Sequence, residues 1–284
     1  MYNWRKDIVT WRMRDTLYIS MPFTWLVQDA SEIARAHKGR VIVGGAGAVL
    51  MKPDWADEII RDGPFDVMAF YNPMATRTTR GCDRGCEFCA VAEIEGPFRE
   101  LQEWRAAPII CDSSFLSSSK SHFDRVIERL KRFNYVDFQG IDARHVTPSI
   151  ARRFTELRHV KIRMGFDCMN DERAVAAAIQ TFHHVGIKNI GIYVLIGFDD
   201  SPEEARYKLE TVRGWGIRPT PMRYQPLDCT KKNSYIALGW TNTELKRMVR
   251  YYSRLRYLEH IPYEDFDYLK SQINQTELAL QEKT

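Results

Sequence analysis

Arg80-Gly81-Cys82-Asp83-Arg84-Gly85-Cys86-Glu87-Phe88-Cys89 carries three cysteines at C-x3-C-x2-C spacing, with an aromatic residue directly before the last. Three thiolates on one tight loop, Cys82, Cys86 and Cys89, suit three irons of a cubic iron–sulfur cluster. A fourth cysteine would close the cluster, as in electron-transfer ferredoxins, and its absence leaves one iron open to another ligand. Structural zinc is the alternative, but zinc sites take four ligands, commonly C-x2-4-C pairs with a second pair or histidines at longer range. Here Cys111, Cys168 and Cys229 stand singly and far apart, and the nearest histidine downstream of the loop is His122. Six scattered cysteines in a chain with no secretory signal also argue against a disulfide framework.

The chain of 284 residues is long enough to bury a full core, as one large or two small domains. Apolar content of 44% and charged content of 27% are those of an ordinary soluble protein, and no apolar run approaches the ~20 residues that span a bilayer. No membrane partner is expected. A cytoplasmic location is, because thiols stay reduced there. The net charge of +4 permits an anionic substrate or a nucleic acid without arguing for either.

Around the cysteine run, apolar segments of strand length alternate with amphipathic ones. Residues 1–74 read as a small Rossmann-like α/β unit. Strands are expected at Leu17–Met21, Val41–Gly44 and Asp66–Tyr71, and helices at Asp29–His37 and Trp55–Arg61. Gly44-Gly45-Ala46-Gly47 reads as a tight strand-to-loop turn that needs positive φ, since it is neither a complete G-x-G-x-x-G nor a P-loop. Ala75–Arg80 leads into the cysteine loop. Five more strand–helix units come after it, with strands at Pro108–Asp112, Tyr135–Gly140, Val160–Phe166, Asn189–Gly197 and Met222–Leu227. Their helices are expected at Ser121–Phe133, from Thr147-Pro148, at Asp171–Val185, Pro202–Trp215 and Asn242–Tyr257. Such alternation implies a parallel sheet with right-handed crossovers. Six units over residues 75–257 make a partial (β/α)6 TIM-like barrel, with residues 258–284 a tail or terminal helix. Barrel chemistry gathers at the C-terminal strand ends, which is where the cysteine loop falls.

The cysteine run resembles the signature of the radical S-adenosylmethionine (radical SAM) superfamily. The resemblance covers roughly residues 15–230 and is most specific at the loop. It implies a [4Fe-4S] cluster held by Cys82, Cys86 and Cys89, whose open iron is chelated by S-adenosylmethionine. Phe88 would then pack on the adenine. Ile110-Cys111-Asp112-Ser113-Ser114 stands where relatives hold the amino group of S-adenosylmethionine, which assigns that contact to Asp112; a Ser/Asp-rich turn is the other reading. Arg163-Met164-Gly165-Phe166-Asp167-Cys168 is similar to a segment that contacts the ribose or the methionine carboxylate, with Asp167 and Cys168 replacing the usual glutamate and serine. Tyr193–Gly197 resembles the adenine-binding strand, with Ile196 and Gly197 against the base.

Residues 1–74 and the turn after Gly197 resemble the branch with a cobalamin-type N-terminal domain. About half of that domain is missing, and so is an Asp-x-His-x-x-Gly segment, which leaves cobalamin doubtful and favours a cofactor-free unit. The resemblance implies reductive cleavage of S-adenosylmethionine to a 5′-deoxyadenosyl radical, hydrogen abstraction from a substrate, and a reductant such as ferredoxin or flavodoxin. Methyl transfer is the first expectation for the step after hydrogen abstraction, with a rearranging or ring-forming enzyme as another. The substrate class, whether small molecule, peptide or nucleic acid, stays open. A non-enzymatic iron–sulfur or zinc-stabilised binding module is the alternative from a different class. Arg223, Tyr224, Gln225, Asp228, Asp142 and Arg144 are strand-end groups suited either to substrate or to ion pairs.

Overall fold

Strand β1 (Val9–Met13) turns back through Arg14, at φ 52°, into β2 (Thr16–Ser20), with which it pairs antiparallel. Beyond β2 the direction is uniform: β3 (Arg40–Gly44) runs parallel to β2, and β4 (Glu58–Ile60) parallel to β3. Alternation puts Leu17, Ile19, Val41 and Val43 in a core, where helix α1 (Val27–Arg35) adds Ala30 and Ala34. The glycine turn behaves as its sequence requires. Gly45 takes φ 89°, and a Cβ there would lie 2.7 Å from the Met21 carbonyl oxygen. A short helix, α2 (Ala46–Met51), comes directly after it. The computed structural model describes residues 4–63 and 66–267.

Two assignments in this segment are reversed. Trp55–Arg61, expected to be helical, supplies β4, because Asp57 accepts the Val41 N–H at 2.6 Å and Glu58 pairs with Arg40, pinning the segment to the edge of β3. Asp66–Tyr71, expected to be a strand, is helix α3 (Val67–Tyr71), because the Asp66 carboxylate caps it by accepting from Ala69 N–H. A short apolar run cannot by itself distinguish these states, and the local cap decides. Strand β1 is additional to the expected elements.

Strand β5 (Ala75–Thr76) opens a second sheet. Strands β6 (Thr79–Arg80) and β7 (Arg99–Glu100) form an antiparallel ribbon around helix α4 (Val91–Glu95). The sheet continues with β8 (Ile109–Ile110), β9 (Val136–Phe138) and β10 (Val160–Gly165), in the order β5-β8-β9-β10 and all parallel. Helices α5 (Lys120–Leu130), α6 (Pro148–Phe154) and α7 (Glu172–His184) succeed β8, β9 and β10 in turn. Thr147 caps α6 with Pro148 in its first turn, as the sequence signals. Phe115, Phe123, Phe138, Phe154 and Phe182 interlock with centroids 4.9 to 6.5 Å apart. Phe154, fully buried, touches the other four.

Strand β11 (Ile190–Ile196) pairs parallel with β12 (Pro219–Arg223), and helices α8 (Pro202–Gly214), α9 (Asn242–Ser253) and α10 (Leu255–Leu258) complete the described chain. Capping boxes start α8 at Ser201 and Glu204 and α9 at Thr241 and Glu244. The last strand lies about three residues before its expected place at Met222–Leu227. Pro219 and Pro221 disguised it, since proline is tolerated in a strand only at an edge, where β12 lies. Contacts group the chain into two compact units. The first takes the described residues up to Gly165 with Asn170–Gly191 and Gln225–Tyr235; the second takes Phe166–Met169, Ile192–Tyr224 and the described residues from Ile236 on. Segment 1–74 falls within the first unit, with its own sheet. Of the expected tail, residues 268–284 lie outside those described. Among the described residues no helix is long and apolar enough to cross a membrane.

The aromatic cluster yields a stability prediction. Phe154→Ala is expected to cost about 3–5 kcal/mol in chemical denaturation, the range for emptying a buried aromatic site.

Candidate functional site

Pairing of Thr79 with Glu100 and of Arg80 with Arg99 closes the base of a loop that holds all three clustered cysteines. Gly81 enters it at φ 79°, and a Cβ there would lie 2.6 Å from the backbone of Pro97 and Phe98. The Gly81 N–H donates to Glu95 Oε2 at 2.8 Å. Glu95, 4% exposed, also accepts from Ser113 Oγ at 3.1 Å and pairs through Oε1 with Arg77 at 2.8 Å. A second positive-φ glycine, Gly85, turns the chain between Cys82 and Cys86, and the Cys89 N–H donates to the Cys86 carbonyl at 3.0 Å. The Arg84 N–H points at Cys82 Sγ, 3.4 Å away. The Arg84 guanidinium grips both oxygens of Asp171, which lies just before α7. Burial would lower the Arg84 pKa, but the Asp171 pair outweighs it and holds the group above its ordinary value.

Cys82, Cys86 and Cys89 are half-buried and outside any disulfide. Three thiols on one pinned loop, with a backbone N–H aimed at a sulfur and a fixed cation in the same loop, are a donor set that fits an iron–sulfur cluster. Phe88 lies half-buried on this loop. The neighbouring Asp83 accepts from Ser117 Oγ at 2.9 Å and approaches His145 Nε2 at 3.5 Å. Asp142 and Arg144 resolve as an ion pair at 2.5 Å. Against its burial, that pair draws the Asp142 carboxyl below its ordinary range.

Asp112, two residues beyond β8, is almost wholly buried. Its Oδ1 accepts from Thr78 N–H at 2.6 Å and its Oδ2 from Thr78 Oγ1 at 2.5 Å. Burial pushes this carboxyl up to about 6 despite those bonds. As placed, both oxygens tie the strand end to the segment entering the cysteine loop. Burial likewise pushes the Cys111 thiol up to about 12, so it stays protonated.

Asp167, Cys168, Ile196, Gly197, Arg223 and Tyr224 lie in the second unit, whereas Gln225 and Asp228 fall in the first. Asp167 gives its carbonyl to Lys208 Nζ at 2.9 Å, and Lys208, 2% exposed, also donates to the Leu195 carbonyl at 2.7 Å and pairs with Asp200 at 3.1 Å. Asp200 Oδ1 accepts from the N–H groups of Gly197, at 2.7 Å, and Phe198, at 3.2 Å. Gly197 takes φ 74°, and a Cβ there would sit 2.7 Å from a Leu245 methyl. Ile196 turns its side chain into the core, leaving its backbone at the strand end, and Cys168 is exposed. Lys208 thus gathers the Asp167 and Leu195–Gly197 strand ends around one buried charge. Sequence reasoning missed Glu95, Asp171 and Lys208. Lys208 sits in a charged helical stretch that reads as surface, and the partners of Glu95 lie 14 and 18 residues away.

Gly81→Ala is expected to cost about 1–3 kcal/mol in backbone strain and to lower the iron retained after anaerobic reconstitution, with all six thiols still titrating in the unfolded chain. For Asp112, the folded form holds a proton that the unfolded carboxyl has already released, so its stabilising contribution is present at low pH and lost as pH rises through about 6. Denaturation from about pH 4 to pH 7 is expected to show the wild-type chain losing stability relative to D112N as pH rises.

No family model matches the chain, and no curated protein matches it in sequence. Among solved structures it is similar to a radical S-adenosylmethionine methyltransferase, TsrM, from Kitasatospora setae, solved with tryptophan substrate and the SAM analogue aza-SAM. Identity is 11% and the TM-score 0.56, over 75% of this chain and 62% of that one. The present chain thus spans less than two thirds of that protein's length. A looser likeness, at 13% identity and a TM-score of 0.41 over 55% of this chain and 41% of the other, is to coproporphyrinogen III oxidase (HemN) from Escherichia coli, described as a radical SAM enzyme. In fold, the chain is thus similar to a radical S-adenosylmethionine methyltransferase.

Proposed function

We propose that this chain is a radical SAM enzyme whose strands β5 and β8 to β12 form a partial (β/α)6 barrel. Cys82, Cys86 and Cys89 would hold a [4Fe-4S] cluster and leave one iron for S-adenosylmethionine. The observation that carries this reading is the trio of half-buried thiols outside disulfides, on one pinned loop beyond the first strand of a parallel sheet. When bound, the cluster supplies the electron for reductive cleavage of S-adenosylmethionine, which leads to hydrogen abstraction.

The chain's own residues bind and orient. The Arg84 N–H points at Cys82 Sγ, and Arg84 with Asp171 keeps the loop from swinging. Phe88 would pack on the adenine, and Gly197, with no Cβ, would allow the base to approach the β11 backbone. Asp167 and Cys168 would meet the ribose or carboxylate, while Lys208 fixes the Asp167 and Leu195 carbonyls. Asp112 reaches the amino group only by releasing Thr78; as placed, it stiffens the entry to the loop. Methyl transfer is the reaction we assign first, supported by the likeness to a methyltransferase. A ferredoxin or flavodoxin is the reductant this chemistry needs. Cysteines outside disulfides suit a reducing compartment such as the cytoplasm.

Anaerobic reconstitution with iron and sulfide, then dithionite and S-adenosylmethionine, is expected to give 5′-deoxyadenosine by chromatography. Replacing Cys82, Cys86 and Cys89 together with Ala is expected to remove both the visible absorbance and the product. Product from a cluster-free triple variant would refute the assignment, and a colourless metal-bound protein would indicate zinc.

A further inference from the structure

Side chains alternate across a strand, and in the parallel sheet of the first unit the two faces differ in kind. Ile110, Phe138 and Ile162 are buried on one face, where Phe138 meets Phe115 and Phe154. Their neighbours along the strands take the other face: Cys111 after β8, Asp137 and Gln139 in and after β9, and Lys161 and Arg163 of β10. Lys161 stands opposite Asp137. Thr76, Ile110, Phe138 and Ile162 are aligned across β5, β8, β9 and β10, so one residue further Arg77, Cys111, Gln139 and Arg163 form a row. Hydrogen bonds from the Cys111 N–H to the Thr76 carbonyl, at 2.8 Å, and from the Gln139 N–H to the Ile110 carbonyl, at 2.9 Å, carry the ladder that far. Gly191 of β11 borders the same face, since a Cβ there would lie 3.8 Å from both Arg163 Cγ and Lys161 Cε. All these residues belong to the first unit, and Cys111, Gln139, Lys161 and Arg163 are only half-buried.

On this face some groups are committed and others are not. Arg163 grips both oxygens of Asp137, at 2.8 and 2.7 Å, and the Tyr135 hydroxyl donates to Oδ2 at 3.3 Å. Arg77 is matched by Glu95. The side chains of Lys161, Gln139 and Cys111 have no hydrogen bond or ion pair among the described residues. Lys161 is therefore left as a half-buried cation whose nearest carboxylate is spent on Arg163. Burial, then the Arg163 charge, hold its ammonium below the ordinary pKa, more than Asp137 offsets. An oxyanion would supply the missing charge and accept a charge-assisted hydrogen bond. The Gln139 amide, diagonal to Lys161, offers both a donor and an acceptor to orient what binds. A few convergent polar groups of this kind are what fix a ligand's orientation in a small-molecule site. The row also lies close to the thiols. Cys111 directly precedes Asp112, whose carboxylate binds Thr78 at the entry to the cysteine loop.

We propose that this sheet face, the inner face of the partial barrel, is the substrate floor, and that it takes a small molecule whose carboxylate or phosphate is anchored by Lys161 and oriented by Gln139. The assignment rests on the radical SAM reading and adds to it the chemical class of the substrate. Gly191, lacking a side chain, leaves the space beside Lys161 open for that group.

The test follows three probes by ligand-observed NMR on the full chain: benzoate and phenyl phosphate, which are anionic, and benzamide, which is neutral. Either anion is expected to bind saturably at one site per chain, about tenfold or more tighter than benzamide. Lys161→Met is expected to remove that preference with unchanged circular dichroism, and Lys161→Arg to keep it. Gly191→Leu, which fills the space beside Lys161, is expected to weaken the anions by about tenfold. Absence of saturable anion binding, or affinity equal to that of benzamide, would overturn the proposal. So would binding indifferent to Lys161→Met or to Gly191→Leu. None of these readouts needs the cluster. Displacement of the anion by S-adenosylmethionine would show that the group belongs to that ligand and would overturn the substrate assignment. Formation of 5′-deoxyadenosine separates the two readings. Reconstituted Lys161→Met is expected to retain abortive formation, and its loss would also overturn the substrate assignment. If the wild type forms 5′-deoxyadenosine but binds no anion, the radical reading stands and the floor falls. If it binds the anion but never forms 5′-deoxyadenosine, an anion site remains and its assignment to a radical substrate is overturned.

Discussion

A carboxylate that is 4% exposed must have its oxygens satisfied, and in this chain Glu95 meets that demand by tying three separate segments together. It takes the Gly81 N–H at the start of the cysteine loop, the Ser113 hydroxyl beyond β8 and the Arg77 guanidinium beyond β5. Moving any one of them strands a buried charge. The loop inherits this rigidity at its entrance, and Arg84 with Asp171 supplies a second fixed point within it. The cysteines need not be ordered by a metal before they can receive one.

The second unit repeats the device with the charge reversed. Lys208 is buried, its ammonium spends hydrogen bonds on the Asp167 and Leu195 carbonyls, and Asp200 neutralises it. Asp200 in turn caps the Gly197 and Phe198 N–H groups at the end of β11. Each unit thus fixes its strand ends with a fully engaged buried charge, a more directional restraint than apolar packing provides.

Much of this architecture was legible in the sequence, and the illegible parts share a cause. The cysteine spacing, the cap at Thr147 and the turn at Gly45 are local signals carried by contiguous residues. Strands β2, β3, β10 and β11 were readable because apolar alternation is also local. Asp66–Tyr71 and Trp55–Arg61 exchanged states because short apolar runs fit both periods, and one carboxylate in each case settled the matter. Glu95, Asp171 and Lys208 were illegible because their meaning lies in partners distant along the chain. Asp112 was conspicuous at its strand end, but only its bonds to Thr78 show where its oxygens are spent.

The prolines that concealed β12 have a further consequence. Tyr224 donates its N–H to the Ile196 carbonyl at 2.9 Å, so by the two-residue period of a strand the N–H groups of even-numbered residues face β11. Pro219 and Pro221 occupy the alternate positions, whose N–H groups would otherwise face the open side of the edge. Two donors are thereby removed where a foreign strand would seek to pair, at no cost to the ladder with β11. The edge is blunted against accretion of another chain, a protection against aggregation written into the backbone itself.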